Sequence, residues 1–315
     1  MPDDTTAREL PADDQVPEGA VVAGLDGSQP SMAALRWAAQ EAAFWGRPLH
    51  LIVAQEHVPG LLAAEGQLAW SQYEDLQHRE CGGLLRRAAD TVARITPDVA
   101  VTCANPWGRP AQLLVEASQR ASVVVVGNRG LGRLAATMLG TVSLQVATHA
   151  FSPVVVVREW TDEPAAASAT ASRRAVVGVD GSDDSRAAIK FALDHVGPDG
   201  VVELIIAWWL EVVDGMVVTT PGSPQWERVT ADHRAILREA VREATGTEED
   251  PRVRLRVERG HPAEVLVTAA GHSVQGDLTV VGTRGRGGFR GLVLGSVSQQ
   301  VLAASTGPVA VLRSH

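Results

Sequence analysis

The chain has 315 residues, enough for about two domains of roughly 150 residues each, and its 45% hydrophobic and 21% charged content excludes wholesale disorder, collagen and coiled coil. The net charge of −9 is unevenly spread: residues 1–19 contribute −5 and residues 159–172 contribute −3, leaving −1 for the rest. The acidity therefore belongs to a tail and a linker, and the near-neutral folded parts lack the basic face that nucleic-acid binding requires. No run of about 18 uncharged apolar residues is present, so no membrane-spanning helix is expected. The acidic start MPDDTTARELPADDQ is unlike a secretory leader, which points to the cytoplasm. Cys81 and Cys103 are isolated in sequence and are expected to be free thiols.

In chain order, residues 1–19 read as a disordered acidic tail. A β-branched run at 21–25 follows and ends on Asp26-Gly27-Ser28. Behind a turn containing Asp26, Gly27 and Pro30, residues 31–45 place Met32, Leu35, Ala39 and Ala42 at helical spacing. Further short runs lie at 49–55, 99–103, 122–127 and 153–157. Runs such as VVVV, with no polar alternation, are the mark of strands buried on both faces.

After the low-complexity linker 159–173 the pattern starts again. VVAGLDGS at 21–28 returns as VVGVDGS at 176–182, VVVVGNRG at 123–130 as LTVVGTRG at 278–285, and LGTVSLQVA at 139–147 as LGSVSQQVL at 294–302. GRPAQLLV at 108–115 and SPVVVVR at 152–158 have partners at 260–267 and 307–313. A period near 155 is far too long for a solenoid, so the chain is a domain written twice, at 20–158 and 174–315. Five strands alternating with four helices imply that each half is a doubly wound α/β domain with a parallel five-stranded sheet. Ligands of such sheets bind beyond the carboxyl ends of the strands, where the winding reverses.

The loop after the fourth strand fits that place. It reads Gly127-Asn128-Arg129-Gly130, nine residues, then Gly140-Thr141-Val142-Ser143, and the second half repeats it as Gly282-Thr283-Arg284-Gly285 and Gly295-Ser296-Val297-Ser298. Glycines let backbone take positive φ and approach a ligand. A helix N-terminus with a hydroxyl favours an anion. Phosphate binding is the chemistry implied, against the plainer reading of a tight loop with Thr141 or Ser296 as helix cap. Asp26 and Asp180 either serve the local turn or face a nucleotide and its divalent metal. Arg129 and Arg284 either pair with phosphate or are solvated.

With the VxxxDGS first strand, the spacing G-x2-G-x9-G-[ST] in both halves resembles the universal stress protein family, specifically its ATP-binding kind. The resemblance covers all but the tail and linker and implies adenine nucleotide alpha hydrolase-like domains that bind ATP, with Mg2+ if a metal accompanies it. It implies contacts from Gly24, Leu25 and Asp26, and from Gly178, Val179 and Asp180, at the end of the first strand of each half. Ala54 and Ala207 would offer backbone to the adenine. Gly127, Gly130, Gly140, Thr141, Val142 and Ser143, with Gly282, Gly285, Gly295, Ser296, Val297 and Ser298, would hold phosphates and ribose. Asn128 departs from the family's Ser or Thr, as at Thr283, which makes the first loop the expected weaker one of two ATP sites.

Other motifs are absent or misplaced. Gly130-x-Gly132-x-x-Ala135 matches a dinucleotide fingerprint but follows the fourth strand, and Arg290 breaks it in the second half. There is no G-x4-G-K-[ST] and no G-x-S-x-G. His149, His195, His233, His261 and His272 show no metal-ligand spacing and read as surface or helix-end residues. Trp208 and Trp209 read as wall or interface. A nucleotide-binding regulator is therefore favoured over a slow ATP hydrolase and over an assembly module with structural ATP. In the resembled family the last strand pairs across a dyad, so 153–157 and 308–312 are expected to join the halves as an internal pseudo-dimer, with a homodimer a further expectation.

Overall fold

The computed structural model describes residues 15–56, 66–130, 139–158, 173–209, 212–213, 216–217, 221–271, 277–285 and 294–314, without the side chains of 66–72 and 212–217. The first half runs β1 (Val21–Gly24), α1 (Gln29–Trp45), β2 (Leu49–Ile52), α2 (Gly66–Ile95), β3 (Val101–Ala104), α3 (Pro110–Ala117), β4 (Val123–Gly127), α4 (Thr141–His149) and β5 (Val154–Val157). The second runs β6 (Arg174–Gly178), α5 (Asp183–Val196), β7 (Val201–Trp208), a small antiparallel pair β8 (Val212–Val213) and β9 (Met216–Val217), α6 (Pro224–Thr245), β10 (Val253–Arg259), α7 (Pro262–Ala270), β11 (Leu278–Gly282), α8 (Ser296–Ala304) and β12 (Val309–Leu312).

Each half is the expected parallel five-stranded sheet, ordered β3-β2-β1-β4-β5 and β10-β7-β6-β11-β12. The winding reverses between β1 and β4, and between β6 and β11, so both loops under consideration open at a topological switch point. β5 and β12 pair antiparallel, Val154 with Val311 and Val156 with Val309, and fuse the halves into one ten-stranded sheet. The pairing removes two bare, apolar strand edges at once.

The valine runs are buried on both faces because a separate core covers each. Val21 and Ala23 pack with α1 and α2 on one face, while Val22, Val124 and Val126 pack with α3 and α4 on the other. The alanines of α1 (Ala34, Ala38, Ala39 and Ala42) are almost fully buried, and their small side chains let the helix lie close on the sheet. Pro30, expected in the turn, instead sits in the first turn of α1 behind the cap Ser28, whose side chain accepts from the Ser31 N–H at 3.3 Å. Proline is accepted there because the first N–H groups of a helix have no intrahelical partner.

Residues 15–19, expected to belong to the tail, lie against the first half: the Gly19 N–H donates to Arg120 O at 2.7 Å, and Glu18 pairs with Arg120 at 3.3 Å. Of the linker expected at 159–173, residues 159–172 lie outside the described residues, and Arg173 is held by Glu41 and by His195 O. No helix among the described residues is long and apolar enough to cross a membrane.

Candidate functional site

A cleft of about 920 Å3 opens at the carboxyl ends of β1, β2 and β4. All eleven first-half candidates line it: Gly24, Leu25 and Asp26 at the end of β1 and just beyond, Ala54 after β2, Gly127, Arg129 and Gly130 at the end of β4 and just beyond, and Gly140, Thr141, Val142 and Ser143 at the start of α4.

Short contacts hold these segments together. Asp26 Oδ1 accepts the Ser28 N–H at 2.9 Å, which starts α1, so the local role is real. Its Oδ2 lies beside Gly130, where a Cβ would come within 2.5 Å of it. The carboxylate thus serves the turn and borders the loop at once. Across the loop, the Gly140 N–H donates to Asn128 O at 2.8 Å, and the Ser143 hydroxyl donates to Gly127 O at 2.6 Å. These two bonds close the excursion at its base. Ser143 therefore binds the loop's own backbone, as does Ser298 to Gly282 O at 2.6 Å in the second half.

One expectation about the loop is corrected, and part of its plainer rival reading falls as well. None of Gly127, Gly130, Gly140, Gly282, Gly285 or Gly295 has positive φ; the left-handed residues here are Gly27 at 81° and Gly181 at 77°, in the turns after β1 and β6. Space, not dihedral freedom, requires the loop glycines: a Cβ on Gly127 would lie 2.7 Å from Pro30 C and 2.8 Å from Ser31 N. Nor are Thr141 and Ser296 helix caps. Gly140 and Gly295 occupy the cap positions without a side-chain bond, and both hydroxyls stand exposed one residue later. An exposed hydroxyl beside a helix start with no side-chain cap is a place for an anion.

The rest of the wall comes from α2, which carries no motif, and from α3, which carries the repeated GRPAQLLV block. Tyr73, Glu80, Cys81, Leu84 and Arg87 line the cleft from α2, and Pro110 and Leu114 from α3. Tyr73 donates to Glu56 O at 3.0 Å and so ties α2 to the segment that follows β2. Cys81 is free and buried, and burial, with Glu80 beside it, pushes its thiol pKa up. Burial pushes the Cys103 thiol to about 11. The sequence carried no sign that residues of α2 face a ligand, because that depends on how the helix packs against the distant strand ends.

The second half repeats the frame with different surroundings. A Cβ on Gly178 would strike Leu266 as one on Gly24 would strike Leu114, both at 2.8 Å. Val179 is buried, and the Gly295 N–H closes the loop onto Thr283 O at 2.7 Å. Asp180 Oδ1 accepts the Ser182 N–H at 3.0 Å. Ala207 is followed by Trp208, which packs on Trp226 (4.8 Å) and His233 (6.0 Å) from α6, while Trp209 is 69% exposed. The buried carboxylate of Asp184 receives hydrogen bonds from Thr283, Arg284 and Ser314. Burial alone would raise its pKa, but these bonds outweigh burial and hold it below the ordinary carboxylate range. Ser296 and Val297 begin α8. Gly132, Ala135, His272 and Arg290 lie outside the described residues.

The comparisons with known proteins agree with this frame. Residues 19–158 and 171–313 each match the Universal stress protein family. The chain belongs to the universal stress protein family. A universal stress protein of Mycolicibacterium smegmatis is 35% identical over 302 residues, spanning 94% of this chain and 97% of its own. One from Mycobacterium tuberculosis is 32% identical over 296 residues, spanning 93% and 96%. Among solved structures, a universal stress protein from Archaeoglobus fulgidus superposes with a TM-score of 0.65 at 20% identity, covering 93% of this chain and 98% of its own. The tandem arrangement is therefore shared over nearly the full length of these relatives.

Proposed function

We propose that this universal stress protein is a nucleotide-binding regulator of the stress response that takes ATP into the first-half cleft. The adenine lies toward Ala54 at the end of β2, and the phosphates lie toward Gly127–Gly130 and the start of α4. The observation that carries this reading is convergence: three segments far apart in sequence deliver all eleven candidates to one cleft of about 920 Å3, within the roughly 300–1,000 Å3 usual for small-molecule sites. The groups offered to phosphate are those of an anion site: a helix N-terminus, the Thr141 hydroxyl and the Arg129 guanidinium.

Among the described residues no group of three or more His, Cys, Asp or Glu side chains is placed to hold a metal by itself. A Mg2+ ion would therefore arrive with the nucleotide, with Asp26 as the carboxylate beside the loop. Backbone donors bind ground-state and transition-state phosphate about equally, which gives affinity without acceleration. The bound nucleotide is thus a signal and not a fuel.

Calorimetric titration of the full chain with ATP and Mg2+ tests the reading. The expected result is saturable binding that Gly130→Val removes from the first half while cooperative unfolding is retained. No binding by the wild-type chain overturns it. Gel filtration with and without ATP then separates a regulator, whose assembly responds to nucleotide, from an assembly module in which ATP is structural.

A further inference from the structure

The two loops share their spacing but not what lies beneath them. In the first turn of α5 stands Asp184, 6% exposed; the matching residue of α1 is Pro30. The Oδ2 of Asp184 accepts from the Thr283 hydroxyl at 2.6 Å and the Arg284 N–H at 3.1 Å, and its Oδ1 from the N–H and hydroxyl of Ser314 at 2.8 and 2.7 Å. A carboxylate early in a helix ordinarily serves its own first turn. Asp184 instead reaches two segments 99 to 130 residues away. Four donors around one buried carboxylate are the surroundings an anion seeks. One of them is a main-chain N–H of the phosphate loop itself, one residue from Gly285. In the first half this negative charge is missing: Pro30 has no side-chain acceptor, and Asn128 replaces Thr283.

We propose that Asp184 is an internal anion that occupies the second loop and selects against polyphosphate there, so that ATP binds the first half by preference and the second half acts as its structural partner. This rests on the nucleotide reading above, and it reverses the ranking of the loops that Asn128 suggested. Two effects act together: the carboxylate takes up a loop donor, the Arg284 N–H, and its charge, buried directly against the loop, opposes an incoming triphosphate where screening is weak.

The test is calorimetric titration of three full-length chains with Mg-ATP and with adenosine: wild type, Asp184→Asn, and the transplant Pro30→Asp with Asn128→Thr. Wild type is expected to show one strong ATP site, with any second weaker by roughly tenfold or more. Asp184→Asn strengthens the second site by roughly tenfold and leaves the first unchanged. The transplant weakens the first by a similar factor. Adenosine affinity moves by less than about twofold in both, because a charge effect spares a neutral ligand. Two equal ATP sites in wild type, or a second site unmoved by Asp184→Asn, overturns the proposal. Should Asp184→Asn fail to fold, the transplant decides alone, and an unchanged first site overturns it. ATP binding by none of the three chains instead overturns the nucleotide reading itself.

Discussion

At the residue scale, the loop glycines are demanded by neighbours and not by dihedral angles, and this sets which substitutions are costly. A Cβ at Gly127 meets main-chain atoms of Pro30 and Ser31 at 2.7 and 2.8 Å, and main chain cannot rotate aside as a flexible side chain does. Gly127→Ala is therefore expected to destabilise the protein by about 1–3 kcal/mol in urea unfolding; a loss below about 0.5 kcal/mol would show that the turn before α1 yields. Asp184 makes a second, pH-dependent prediction. Its folded pKa lies below the unfolded value of about 3.9, so its contribution to stability is present above about pH 4 and is lost as pH falls through the depressed folded value. The stability gap between wild type and Asp184→Asn should shrink from about pH 5 to about pH 2. A gap constant over that range would mean the carboxylate titrates alike folded and unfolded.

At the element scale, the valine runs, the glycine spacing and the offset of about 155 residues made the strands, the switch-point loops and the pairing edges legible in the sequence. What stayed hidden depends on contacts between distant segments. Nothing local announces that Tyr73 and Arg87 of α2 wall the cleft, or that β8 and β9 form a separate pair. The same holds for two arginines just beyond the paired edge strands. The guanidinium of Arg158, after β5, donates to Ala303 O at the end of α8, 2.7 Å away; that of Arg313, after β12, donates to Thr148 O at the end of α4, 2.8 Å away. The two bonds are equivalent under the repeat, each half capping a helix of the other where the exposed carbonyls and the dipole favour a cation. Arg158→Ala and Arg313→Ala should each cost about 1–2 kcal/mol in denaturant unfolding. A cost under about 0.3 kcal/mol for both would mean that strand pairing alone holds the joint.

At the scale of the whole molecule, duplication has let the two halves diverge where they meet. Glu41 of α1 and His195 of α5 are counterparts at the 154-residue offset, and they touch: Glu41 Oε1 lies 2.8 Å from His195 Nδ1. Both are buried, at 1% and 7% exposure, with Trp37 stacked on the imidazole. Arg173 completes the cluster, donating to Glu41 Oε2 at 2.8 Å and to His195 O at 2.9 Å while its guanidinium lies over Phe44. A symmetric dimer of either half would set carboxylate against carboxylate or imidazole against imidazole at this axis, so the contact is complementary only between unlike halves. Glu41→Ala leaves the buried His195 and the half-buried Arg173 without the carboxylate they share and should cost about 2–4 kcal/mol. Glu41→His places two imidazoles and a guanidinium together and should cost a comparable amount. Exchanging the pair, Glu41→His with His195→Glu, returns one carboxylate to the axis and should recover at least about half of that loss in a double-mutant cycle. If the exchanged chain is no more stable than Glu41→His alone, the contact depends on the individual placement of Glu41 beneath Arg173, and complementarity at the axis is not what matches the first half to the second.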